Sequence, residues 1–109
     1  MGFINRFEKM KMPHDDWRKR IRQVQKSDDE KKLIEIAKND PNINVRIAAI
    51  EKINNDSDLI DIAANDSNKN ARIAAIKRIS DKTALNNIAK NDSNKTVRLA
   101  AAERISHLK

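Results

Sequence analysis

The stretch LIEIAKNDPNINVRIAAIEKI at residues 33–53 recurs as LIDIAANDSNKNARIAAIKRI at 59–79 and as LNNIAKNDSNKTVRLAAAERI at 85–105. The three copies are in exact register, and ten of the 21 columns are identical in all of them. Self-similarity at a fixed period of about 20 to 50 residues is typical of repeat architectures. The fold therefore depends on what one copy forms and on how the copies meet.

Each copy carries two apolar stripes at helical spacing. Leu33, Ile36 and Ala37 lie at i, i+3 and i+4, and Ala49 and Ile50 lie four and three positions before Ile53, which indicates two short amphipathic helices. A helix pair of this size cannot bury its own stripe, so neighbouring pairs must stack. The sequence predicts an all-α fold, an α-solenoid of about four stacked antiparallel helix pairs in a single domain, residues 1–109, with repeats at 27–54, 55–80 and 81–109.

Asparagine and aspartate separate the two helices of each copy. An Asn can take the left-handed conformation that often ends a helix, which we expect at Asn39, Asn65 and Asn91. An Asp can accept hydrogen bonds from the free N–H groups at a helix start. We therefore expect the second helix of each copy to open at Asp40, Asp66 and Asp92.

Residues 1–26 differ from the repeats in composition, because they hold all three aromatic residues and a charge of +5 out of the total of +7. Phe3, Phe7 and Met10 share one helical face, and the stretch 17–24 presents another. Pro13 separates the two. The pattern predicts a divergent basic helix pair that caps the stack, as terminal units of repeat arrays commonly do.

The run NDPNINVRIAAIEKI at residues 39–53 and its two other copies resemble the second-helix signature of HEAT-like repeats, of the short kind also met in phycobilisome lyase subunits. The match covers roughly residues 28–109, with an Asp, an Arg and then an Ala pair in register three times. The resemblance implies a solenoid whose usual work is protein binding, although some relatives bind nucleic acid or assist an enzyme. It implies no catalytic residues.

A repeated arginine lies at the edge of the packed face, three and four positions before apolar core residues; the copies are Arg46, Arg72 and Arg98. A partly buried guanidinium is costly unless it is paired, and a carboxylate can accept two of its donors. The expected partners are Asp40, Asp66 and Asp92. In HEAT-like repeats a similar Asp and Arg form a ladder between layers, so the resemblance implies a structural role. We expect Arg72→Ala to strand Asp66.

Two groups of basic residues are candidate partner-binding sites. One is the basic stripe, which recurs once in every copy and consists of Lys52, Arg78 and Arg104. The other surrounds Trp17 and consists of Arg18, Lys19, Arg20 and Arg22. Both groups could meet an acidic protein surface or a phosphate backbone, both could be solvated surface, and the Trp17 helix could also lie on an anionic membrane.

The amino-acid composition excludes several kinds of catalytic and metal-binding site. The chain has no Cys and one Gly, which rules out thiolate metal sites, cysteine nucleophiles and glycine-rich phosphate loops. His14 and His107 lie at opposite ends of the sequence. We therefore expect no enzyme, no cofactor and no metal. No apolar run reaches the length of a membrane span, and a cytoplasmic location is expected.

These patterns favour a non-catalytic protein-protein interaction module or scaffold that binds a partner with an acidic surface along the solenoid. One alternative is nucleic-acid binding through the basic stripe and the N-terminal helix. The other alternative, an accessory subunit of a lyase-type enzyme, rests on the resemblance alone.

Overall fold

The computed structural model describes residues 16–108, and over this range the chain forms seven helices and no strand. The helices are α1 Trp17–Lys26, α2 Glu30–Asn39, α3 Ile43–Ile50, α4 Asp56–Asn65, α5 Lys69–Ile76, α6 Lys82–Asn91 and α7 Lys95–His107. The prediction of an all-α fold is confirmed for this range. Residues 1–15, and with them the predicted helix of Phe3, Phe7 and Met10, lie outside the described residues.

The helices pack in the order that the repeat period predicts. Within each copy the two helices contact each other, as α2 with α3, α4 with α5 and α6 with α7. Between copies, α1, α3, α5 and α7 contact one another in sequence, and α2, α4 and α6 do so less extensively. We call α2, α4 and α6 the first helices and α1, α3, α5 and α7 the second helices. These contacts are consistent with a helical repeat.

Helix α1 occupies the place of a second helix that precedes the three copies. Its Arg20 and Val24 stand one period before Arg46 and Ile50, and Val24 is 2% exposed. Helix α1 packs against α3, just as α3 packs against α5. Helix α1 therefore adds a divergent second helix before the three copies.

The core is built from the same columns in every copy. Residues such as Leu59, Ala75 and Ile79 are almost fully buried, and each has a buried counterpart one period away. No polar or charged residue is buried among residues 16–108. Ile105 is the exception in its column, because it is only partly buried. No later helix within the described range covers it, whereas Ile53 and Ile79 have one.

The turn between first and second helices differs from both sequence predictions. No described residue has a positive φ, and Asn39, Asn65 and Asn91 are the last residues of their helices. The following Asp is extended, with φ −63° and ψ 135° at Asp40. The second helices are capped instead by the side-chain oxygens of Asn42, Asn68 and Asn94. Both turn predictions are wrong.

The extended Asp has two physical causes. Pro41 disfavours helical backbone at the residue before it. In addition, the Asp40 carboxylate accepts a hydrogen bond from the Asn42 N–H at 2.9 Å and binds an arginine of the preceding layer. Asp66 and Asp92 accept the same backbone hydrogen bond without a proline. The Asp is therefore held by its side chain in an extended link, and the Asn is left to cap the next helix.

Candidate functional site: the exposed face of the second helices

The expected Asp and Arg ladder joins successive layers. Arg46 donates through Nε and Nη2 to the two carboxylate oxygens of Asp66, at 3.1 and 3.2 Å. Its Nη1 donates to the backbone carbonyl of Asp40 at 2.9 Å. The side chains are 12% and 5% exposed. Arg46 therefore binds a carbonyl in its own copy and a carboxylate in the next one.

Arg72 repeats this arrangement one layer on. Its Nε and Nη2 donate to the two carboxylate oxygens of Asp92 at 3.0 and 3.3 Å, and its Nη1 donates to the carbonyl of Asp66 at 2.8 Å. The expected partner of Arg72 is thereby corrected from the Asp66 carboxylate to Asp92. Either aspartate is near enough in sequence for helix packing to bring it to Arg72, and only the stacking of layers distinguishes them.

Arg20 also belongs to the ladder. It binds both carboxylate oxygens of Asp40, at 2.9 and 3.0 Å. Burial tends to raise the pKa of Asp40, but the hydrogen bonds from Arg20 and the Asn42 N–H outweigh it and hold that pKa below its ordinary value of 3.8. The sequence prediction grouped Arg20 with the surface cations because the residues around it diverge from the repeat. Its position one period before Arg46 was the available signal.

Arg98 lies at the other end of the ladder. Its Nη1 donates to the Asp92 carbonyl at 2.7 Å, as in the inner layers. No carboxylate from residues 16–108 meets its fork, because the next Asp of the pattern would belong to a further copy. The complete rungs among the described residues are thus Arg20 with Asp40, Arg46 with Asp66 and Arg72 with Asp92.

The basic stripe turns inward to the preceding layer. The Lys52 ammonium donates to the carbonyls of Val24, Gln25 and Ser27, at 3.1, 2.8 and 2.6 Å, where α1 ends. Arg78 donates to the Ile53 carbonyl at 2.9 Å, and Arg104 does so to the Ile79 carbonyl at 2.9 Å. Cations suit the free carbonyls at helix ends. Each residue of the stripe therefore uses at least one donor within the protein, and Lys52 uses three.

The cations around Trp17 are divided between two environments. Arg18, Lys19 and Arg22 are exposed, whereas Arg20 is in the ladder. The Arg18 guanidinium carbon lies 4.6 Å from the centroid of the Trp17 ring, which is within the range of a cation–π contact. Trp17 itself is half-buried and packs against the core. This leaves its ring poorly placed for stacking on a nucleic-acid base.

A column of apolar side chains runs along the second helices on their solvent side. It takes one residue from each helix, always the one after the ladder arginine, and its members are Ile21, Ile47, Ile73 and Leu99. The three isoleucines are partly buried, and Leu99 is 59% exposed, the one exposed large apolar residue of the described range. We call these four residues the apolar column.

Two members of the apolar column, Ile47 and Ile73, line a shallow groove between α3 and α5. The other lining residues are Ala74 and the polar Glu51, Asn70, Lys77 and Arg78. Ala48 and Ala100 stand beside the column in the neighbouring second helices and are partly buried. The sequence predicted a partner along the solenoid, but it did not single out this column.

Charge is distributed unequally between the two sets of helices. The second helices, with the two residues that follow α3 and α5, carry 14 Lys or Arg and two acidic residues, whereas the first helices carry five of each sign. Four of the 14 cations are arginines of the ladder and three form the basic stripe, which leaves seven exposed Lys or Arg against the exposed Glu51 and Glu103. The face that presents the apolar column therefore has an excess of positive charge, and four of its seven exposed cations lie in α1. The first helices carry equal numbers of each sign.

Neither a metal-binding cluster nor a membrane-spanning helix occurs among residues 16–108. No group of His, Cys, Asp and Glu among them could hold a metal ion. His107 is exposed and its Nδ1 lies 2.8 Å from the Glu103 carbonyl, while His14 lies outside the described residues. None of the helices in this range combines the length and the apolar character needed to cross a bilayer.

Comparison of the chain with protein-family models, with curated proteins and with solved structures gave no match.

Proposed function

We propose that the chain is a non-catalytic protein-binding module of the HEAT-like α-solenoid type, whose partner lies along the exposed face of the second helices. The observation that carries the proposal is the apolar column, and above all Leu99, which is 59% exposed. A contiguous apolar surface rimmed by polar residues marks interaction sites on folded proteins. Stacked helix pairs present such a surface already ordered, which lowers the entropic cost of binding.

The charge of this face favours an acidic partner. Exposed cations such as Arg22 and Lys69 lie beside the apolar column, and such a field raises the rate of encounter with an acidic surface. The apolar column then supplies the buried area that holds the partner. We expect association to slow at high salt without being abolished, because apolar contacts are not screened.

Nucleic-acid binding is the second candidate, and the excess of cations on the second helices favours it. Phosphate contacts need free donors, however, and Lys52, Arg78 and Arg104 use donors on backbone carbonyls. The apolar column would contribute nothing to a phosphate backbone. An accessory role beside a lyase-type enzyme has no observation of its own in favour.

Site-specific photo-cross-linking tests the proposed function. A photoreactive amino acid replaces Leu99 on the second-helix face or, as the control, Asn87, which is exposed on the first helix α6. We expect a discrete adduct in native lysate from position 99 and not from 87, removed by protease and insensitive to nuclease. A nuclease-sensitive adduct would favour the second candidate, and equal adducts from both positions would contradict the proposed face.

A further inference from the structure

We propose that the apolar column binds an extended acidic segment of another protein, with an apolar residue at every third position and an acidic residue at one fixed neighbouring position. The inference rests on the proposed function and specifies its partner. It follows from the spacing of the column and from the charges on its two borders.

The spacing favours an extended segment. The column has one residue in each second helix, and packed helices lie about 8–10 Å apart. A polyproline II segment advances about 3.1 Å per residue and returns to the same face every third residue, so its side chains on one face are about 9.3 Å apart. About ten residues in this conformation would place four apolar side chains along the column. An α-helix presents its face about every 5.4 Å and does not match the step.

The borders of the column differ in charge. Toward the N-terminal ends of the second helices lie Arg18, Lys69 and Lys95, all exposed, and positions 43 and 44 are uncharged. No described second helix places an acidic side chain on that border. On the C-terminal border Glu51 and Glu103 alternate with Lys77. A segment whose acidic residues all point to the N-terminal border gains attraction there and avoids Glu51 and Glu103.

Threefold geometry satisfies the spacing and the charges together. In polyproline II the residue after each apolar one projects to one side and the next residue projects to the other, since successive side chains differ by about 120°. A repeated triplet of apolar, acidic and uncharged residues therefore directs every carboxylate to the same border. Proline in the third place favours the extended backbone of the acidic residue before it.

A labelled peptide of four Leu-Glu-Pro triplets tests the inference by fluorescence anisotropy against the full chain at about 50 mM salt, where charge attraction is little screened. One matched peptide replaces every Glu by Lys, and another keeps the composition but spaces the leucines irregularly. The variants Leu99→Glu and Ile73→Glu alter the column. Asn87→Glu adds the same charge to the first-helix face and serves as the control. Circular dichroism confirms that each variant is folded.

We expect the Leu-Glu-Pro peptide to bind, and both matched peptides to bind at least about tenfold more weakly, as does Leu99→Glu. Asn87→Glu should bind like the unaltered chain. Equal binding of the lysine peptide or of the irregular peptide would overturn the inference, as would no binding of any peptide. Tighter binding of an oligonucleotide than of the peptide would also overturn it. Self-association of the chain through Leu99, measured by sedimentation, would do so as well. If position 99 still gives a protein adduct but no peptide binds, the inference about the extended segment is wrong and the proposed function stands. If position 99 gives no adduct and no peptide binds, the proposed function is contradicted as well.

Discussion

Two ion pairs join the same two layers and differ in burial and geometry. In the first, here called the inner pair, Arg46 binds both carboxylate oxygens of Asp66 at 3.1 and 3.2 Å, with side chains 12% and 5% exposed. In the second, called the outer pair, Lys38 contacts Asp58 at 2.7 Å and Asp61 at 3.1 Å, with Lys38 31% and Asp61 51% exposed. The outer pair has the shorter contact, yet we expect it to be the weaker. Distance alone does not rank ion pairs, because burial and fixed bidentate geometry determine what is lost when one partner is removed.

Recurrence separates the two pairs as well. The inner pair appears at all three junctions between described layers. The outer pair appears once, because Ala64, Ala84 and Asn87 stand where the next copy would need Lys38, Asp58 and Asp61. The inner pair is thus part of the repeat, whereas the outer pair is a local addition. Four predictions test this difference.

The largest effect is expected for Arg72→Ala. It leaves the Asp92 carboxylate, 6% exposed, without its guanidinium, and removal of one partner of a buried pair costs about 3 kcal/mol of unfolding free energy. Arg98→Ala is the matched control, since its fork meets no carboxylate of residues 16–108. Urea denaturation compares them, and equal losses would contradict the ladder.

A smaller loss is expected for Lys52→Met, which keeps the aliphatic stem and removes the donor to three carbonyls at the end of α1. Partly exposed hydrogen bonds of this kind contribute about 1 kcal/mol. The emission of Trp17, the one Trp of the chain, reports the release of α1 directly. Lys77→Met removes an exposed lysine of the same face as the control. If both variants melt alike, the interlayer contact of Lys52 adds nothing.

Lys38→Met should lower the free energy of unfolding by less than about 1 kcal/mol, since exposed pairs are screened and entropically costly. The loss should disappear at about 1 M salt, where the screening length is about 3 Å. Hydrogen bonds to Asp58 and then Asp61 raise the pKa of Lys38 above its ordinary 10.5. The loss should therefore persist below about pH 10.5 and fade as pH rises through the raised pKa. Salt-independent destabilisation would show that the outer pair behaves like the ladder.

The last prediction concerns how stability changes with pH at Asp40, which belongs to the least buried of the three rungs because its partner Arg20 is 31% exposed. Its pKa is held below the ordinary 3.8 in the folded chain, so its ionised form contributes stability above pH 3.8, and that contribution is lost as pH falls through the folded pKa. Asp40→Asn cannot titrate. The stability difference between wild type and variant should therefore be constant from about pH 5 to about pH 7 and shrink toward about pH 2 in thermal melts. A difference that does not change with pH would exclude the charge of Asp40 from the ladder.

Predictions from the sequence succeeded where periodicity carries the information. The all-α fold follows from apolar residues at helical spacing. The repeated Arg and Asp beside that stripe predicted a ladder but not its pairing, because Arg46 and Arg72 bind the Asp of the next copy and Arg98 meets no carboxylate of residues 16–108. Prediction failed at the turn, because Asn39 and Asp40 can each end or open a helix and the choice depends on the arginine of another layer. Prediction also left Arg20 out of the ladder. Arg20 lies one period before Arg46, but the residues around it do not resemble those of the three copies.

The sequence by itself determined the number of repeat copies, the apolar and polar faces of each helix and the absence of thiol chemistry. These depend only on residue types and on the repeat period. Only the tertiary structure decided which carboxylate each arginine binds, which carbonyls the basic stripe binds and which apolar residues stay at the surface. Those outcomes depend on the offset between one layer and the next. Local periodicity does not encode that offset, because every copy presents the same donors and acceptors to both of its neighbours.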